Sequence, residues 1–121
     1  MSGAFRAALF MPGPLKNAID WASRPYGKNS FASKPAAMCG ASPGAIGTAN
    51  SQHNLRPTLN YLELTLMGQP EVYFQFKEGV IDAEGNIIAD NTRQFLQKFA
   101  DSFAAWIERH GAGVAKKSQA A

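Results

Sequence analysis

The sequence holds a single cysteine, Cys39, which excludes an internal disulfide and any zinc site built on cysteines. A reducing compartment is the natural setting for such a chain. Charge is scarce too: 17% of the residues are charged and the net charge is +3. Lys116 and Lys117 lie in a polar, Gly/Ala-rich tail, which leaves +1 for the rest. The remaining basic residues stand singly, without interleaved aromatics, so no nucleic-acid partner is expected despite a pI near 9.2. No apolar run is long enough to span a bilayer, and no basic start leads into an unbroken apolar stretch. The expectation is a cytoplasmic protein without membrane contact. His53 and His110 are far apart and poorly accompanied, which argues against a metal, and nothing resembles a catalytic triad or a P-loop.

What is present is an ordinary globular composition, 45% hydrophobic over 121 residues, enough for one domain with its own core. Its organising stretch runs from Lys34 to Gly47. A short apolar run, Ala36 to Cys39, enters the Gly-rich loop Gly40-Ala41-Ser42-Pro43-Gly44-Ala45-Ile46-Gly47, and the loop opens a long segment of helical period. That is the pattern of a β–loop–α unit, and in open α/β sheets such loops face ligands. Spacing alone leaves two readings open, a ligand loop and a plain turn.

Along the chain, Ala7 to Met11 reads as a short strand or an irregular start. Pro14 suits the first turn of a helix to about Ser23, with Leu15, Ala18, Ile19 and Ala22 on its buried face. After the loop, Ile46, Ala49, Leu55, Leu59, Leu62 and Leu66 imply a helix from about Ala45 to Met67. Pro57 falls inside it and predicts either a bend or two shorter helices. Glu71 to Phe76 has strand composition, and the apolar pairs Val80-Ile81 and Ile87-Ile88 flank a turn. Asp90 or Asn91 caps a last helix whose stripe of Phe95, Leu96, Phe99, Phe103, Trp106 and Ile107 reads as core. Gly111 is expected to end it. The order predicts an α/β fold with a parallel sheet between helices.

Three segments together carry a family resemblance. Pro12-Gly13-Pro14-Leu15-Lys16-Asn17-Ala18-Ile19-Asp20-Trp21-Ala22-Ser23-Arg24, Gly40 to Gly47, and Leu55-Arg56 through Gln69-Pro70-Glu71 resemble the NADPH-dependent FMN reductase family, which includes quinone and chromate reductases. The resemblance implies a flavodoxin-like fold, FMN as cofactor, NAD(P)H as hydride donor and a quinone-like or other small electron acceptor. The family's Gly-Ser-Leu-Arg phosphate loop and its Pro-Glu-Tyr-Asn run have no counterpart here; Arg6 to Met11 stands where the latter belongs. The resemblance therefore covers the carboxyl-terminal part of the family domain. The expectation is a truncated or reframed member with an incomplete sheet, its N-terminal strands missing: residues 1–11 a remnant strand or irregular, 12–110 the domain part, 111–121 a disordered tail. An open sheet edge in such a chain favours homo-oligomers, element swapping or marginal stability.

Carried over position by position, the resemblance implies that Gly40, Ala41, Ser42 and Gly44 pass the flavin ring, offering backbone N–H groups and little side-chain bulk. Pro12 and Gly13 fall at the rim beside it. The resemblance places His53, where the family often has Tyr, and Glu71 at a subunit interface near the flavin, and Arg56 shares a helix face with His53. A His53–Glu71 pair there is pH-sensitive. Asp20 and Trp21 are assigned to packing, and Cys39 to the end of a buried strand without a redox role. No side chain is needed as acid or base. Two functions remain: an FMN-dependent NAD(P)H oxidoreductase domain, and a non-catalytic remnant without flavin.

Overall fold

The computed structural model describes residues 10–118, with side chains as far as Gly111. Three helices and four short strands follow in the order α1 (Gly13–Ala22), β1 (Pro35–Ala36), β2 (Cys39–Ser42), α2 (Ala49–Tyr61), β3 (Thr65–Leu66), β4 (Val72–Gln75) and α3 (Asp90–Ser118). Most of Ala7 to Met11 lies outside the described residues, as do 119–121; Phe10 and Met11 are not in a strand.

Both described two-stranded sheets are parallel. β1 pairs with β3 (Pro35↔Thr65) and β2 with β4 (Cys39↔Val72 through Ser42↔Gln75). The two pieces lie in sequence along the same two stretches of chain, but Ala37-Met38 on one side faces five residues, Met67 to Glu71, on the other. Pro70 has no N–H to give a ladder, so the pairing breaks there and resumes in a new register. The one strand expected around Ala36 to Cys39 is therefore two, and Thr65–Leu66, expected in the helix, is a strand. Parallel neighbours need a crossover, and α2 supplies it, which makes β2–α2–β4 a βαβ unit.

Strand alternation separates the helices onto two faces. The Tyr73 phenol reaches His53 of α2, whereas Val72 and Phe74 line an apolar cavity of about 260 Å³ with Val80, Ile87 and Leu96. On the α2 side, Ile19, Leu59 and Leu62 form a buried cluster with Phe31, Met38, Leu55, Leu64 and Leu66 packed against it. On the other, Trp106 Nε1 donates to the Thr65 carbonyl at 2.9 Å and pins α3 to the strands.

Several packing expectations need correction. None of the six residues in the α3 stripe is buried, and Phe95 and Ile107 are exposed. The 29 residues of α3 span roughly 43 Å, far more than the two- to four-residue strands beneath can cover. The helix also runs through Gly111 to Ser118, because Gly111 does not take the left-handed conformation that would end it. In α1 only Ile19 is buried; Leu15 and Ala18 are exposed, Trp21 is 77% exposed, and Asp20 pairs with Lys16 on the surface. Cys39 is exposed and begins β2 instead of ending a buried strand. The turn between Val80 and Ile88 is a short hairpin arm, with an antiparallel bridge from Ile81 to Ile87.

Pro57 lies inside an α2 that is nonetheless one helix. Its missing N–H and its ring cost an interior helix position about 3 kcal/mol, of which less than about 1 kcal/mol returns through the stiffer unfolded chain. Pro57→Ala is therefore expected to stabilise the chain by about 1–2 kcal/mol, read as a higher urea midpoint with unchanged slope.

Candidate functional site

The loop between β2 and α2 is held from behind by β4. Gln75 Nε2 donates to the Pro43 carbonyl at 3.3 Å, and the Phe76 amide donates to the Ser42 carbonyl at 2.9 Å. Inside the loop, the Gly44 amide donates to Ser42 Oγ at 3.2 Å and the Gly47 amide to the Gly44 carbonyl at 2.9 Å. Ser42 thus uses its hydroxyl to shape the turn. Gly47 is buried at φ +56°, and a Cβ there would lie 2.5 Å from the Tyr73 carbonyl oxygen. Only glycine fits, both for the backbone angle and for the contact.

Pro43, Gly44, Ala45 and Ile46 face solvent. Among the described residues, the N–H groups of Ala45 and Ile46 have no hydrogen-bond partner. A Cβ on Gly44 would meet nothing closer than Ser42 Oγ at 3.5 Å. Such a loop presents donors over open space and admits a flat acceptor-bearing ligand. Ala41 and Gly40 precede it in β2; Gly40 packs under Thr48, whose Oγ1 would lie 2.5 Å from a Cβ at Gly40.

Pro12 and Gly13 begin α1, and Ser51 Oγ, in the first turn of α2, donates to the Phe10 carbonyl at 3.0 Å. The starts of α1 and α2 are therefore neighbours, which brings the Pro12-Gly13 corner to the same end of the strands as the loop. Nothing lies within 4 Å of a Cβ at Gly13, so this corner is open as well.

His53, Arg56 and Glu71 also come together, though not as a direct His53–Glu71 pair. His53 Nε2 lies 3.0 Å from the Tyr73 hydroxyl, and Arg56 takes Glu71 in an ion pair at 3.3 Å. The pair is about one-third exposed and contributes under about 1 kcal/mol. Partial burial of Tyr73, together with the nearby Glu71 carboxylate, pushes its ionisation up, against an opposing pull from Arg56. Tyr73 escaped the sequence reading although its place two residues after Glu71 sets both on one strand face. Gln52 escaped it too: buried, it donates to Thr48 Oγ1 at 2.9 Å and to the Val72 carbonyl at 2.8 Å, tying the loop's exit to β4. A polar residue beside His53 carried no separate signal.

A family model described as NADPH-dependent FMN reductase matches residues 9–79. The chain belongs to the NADPH-dependent FMN reductase family. Among similar proteins, 2-hydroxy-1,4-benzoquinone reductase of Burkholderia sp is 54% identical over 97 residues, covering 80% of this chain and 53% of that protein. A quinone reductase of Pseudomonas putida is 44% identical over 98 residues, covering 81% and 52%. The solved structure of FerB, a flavoenzyme NAD(P)H:(acceptor) oxidoreductase from Paracoccus denitrificans, superposes with a TM-score of 0.79 at 46% identity, covering 84% of this chain and 56% of FerB. The chain spans about half the length of the curated relatives it matches, and its fold is the flavodoxin-like α/β fold expected, represented by few strands. No described helix is long and apolar enough to cross a membrane.

Two measurements test this geometry. Gly47→Ala forces a residue with a Cβ into both the left-handed angle and the Tyr73 carbonyl, and is expected to destabilise the chain by about 2–4 kcal/mol in urea unfolding. In ¹³C-tyrosine spectra, the signal lost in Tyr73→Phe is expected to titrate above the ordinary value of 10.0 and to move down in Glu71→Gln. Because the folded state resists ionisation, this contribution to stability is full below about pH 10 and is lost as pH rises through the raised value.

Proposed function

We propose that this chain forms the ring-binding part of an FMN-dependent NAD(P)H oxidoreductase that passes hydride to quinone-like or other small acceptors. The observation that carries the reading is the exposed, side-chain-poor loop at Gly44 to Ile46 with two unpartnered amide N–H groups, in a chain whose relatives are named quinone and FMN reductases. The residues fit the flat ring of the cofactor: Gly40, Ala41, Ser42 and Gly44 shape an open wall, and Pro12 and Gly13 its rim. They do not supply a phosphate loop of the family's Gly-Ser-Leu-Arg type, a sequence this chain lacks. When bound, FMN supplies the two-electron chemistry, accepting hydride from NAD(P)H and handing it to the acceptor.

The chain's own work is binding and orientation. The Ala45 and Ile46 amides hold polar atoms of a ring edge, Gly44 leaves room for close approach, and Ile46, 53% exposed, offers apolar surface beside them. No side chain is required as acid or base. His53, Arg56 and Glu71 are proposed to lie at an interface between copies in a cytoplasmic homo-oligomer, where the Arg56–Glu71 pair would be drier and stronger than on an open surface.

The test is FMN titration of the purified chain by flavin fluorescence, with size-exclusion chromatography on the same sample. Micromolar or tighter binding in a defined oligomer, followed by quinone-dependent NADPH oxidation, is expected. No binding at high micromolar FMN would favour the second reading, a flavin-free half-domain.

A further inference from the structure

We infer that Tyr73 is a positioning residue for the 43–48 loop and the first turns of α2, acting through the hydrogen bond between its hydroxyl and His53. Three parts of the fold meet on this one residue. Its backbone pairs with Gly40 across the β2–β4 ladder, its carbonyl packs against the Cα of Gly47 at the loop's end, and its phenol holds His53 in the second turn of α2. Strand, loop and helix are thereby fixed to one another at the point where the loop's free amides are presented. That this loop's task is to hold flavin rests on the function proposed above; that Tyr73 sets its geometry does not.

The phenol's tie to α2 is the 3.0 Å approach of His53 Nε2 to its hydroxyl, while Arg56 and Glu71 pair with each other at 3.3 Å. Removing the hydroxyl therefore unties α2 from β4 and leaves both partners of the Arg56–Glu71 pair in place.

The experiment is ¹⁵N spectroscopy of the flavin-free chain and its variants. Tyr73→Phe keeps the ring and loses the hydroxyl; His53→Ala loses the hydrogen-bonding ring on an exposed position; His53→Gln restores a side chain that can hydrogen-bond the hydroxyl. Tyr73→Phe and His53→Ala are expected to move the same amides, Ala45, Ile46 and Gly47, while Gly85 in the hairpin arm stays fixed. The double variant should move them no further than either single change, and His53→Gln should return them to their original positions. FMN affinity, where binding occurs, is expected to fall about two- to tenfold in Tyr73→Phe and His53→Ala, the worth of one hydrogen bond. Unmoved loop amides or additive effects in the double variant would each overturn the inference. A wild-type chain that binds no FMN would remove the flavin reading, and the amide comparison would still decide the role of Tyr73.

Discussion

The approach of Gly47 to the Tyr73 carbonyl is the contact on which the rest of this structure depends. It brings the end of the Gly-rich loop against β4, the strand next to β2 in the sheet, and it exists because residue 47 has no side chain and can take φ +56°. Once it is made, the β2–β4 register places Gly40 beside Tyr73, Gln52 reaches the Val72 carbonyl, and α2 leaves the loop with His53 over the phenol. The loop's outer side is then left with the Ala45 and Ile46 donors and, beside them, the exposed Ile46 side chain. A cradle of this kind is built from backbone more than from side chains, which suits a task of holding a preformed aromatic cofactor and letting it carry the reaction.

The same reasoning explains what was legible in the sequence. The loop, the strand at Val72–Gln75, the helix after Pro12 and the family membership all rest on local features: glycines at turn positions, aromatic and β-branched runs, proline at a helix start. Pro57 was a true conflict with local propensity, and tertiary packing of Leu59 and Leu62 kept the helix whole across it. The split of one expected strand into β1 and β2 was hidden, because it depends on how many residues the partner strand spends before Pro70. Tyr73 was hidden for a related reason. Its role comes from meeting α2 across the layer, and only strand alternation from Glu71 hinted at it.

The burial of the aromatic stripe was misread for a physical reason that bears on the whole fold. Helical period identifies which face of α3 is apolar, but burial needs something to lie against, and the described strands are short. The face of the sheet opposite α2 accordingly has an apolar cavity bounded by Phe74, Ile87 and Leu96 and an exposed Cys39 at its rim. The chain matches 56% of FerB, so the layers here correspond to part of that fold.

The central claim is that this loop is the place where FMN meets the chain. The most direct test is to follow backbone amide shifts while FMN is added to the labelled protein. The account predicts saturable shifts at Ala41, Gly44, Ala45, Ile46 and Gly13, with the hairpin arm around Gly85 unmoved. Saturable shifts centred instead on the apolar cavity beneath α3, with the loop amides silent, would contradict it.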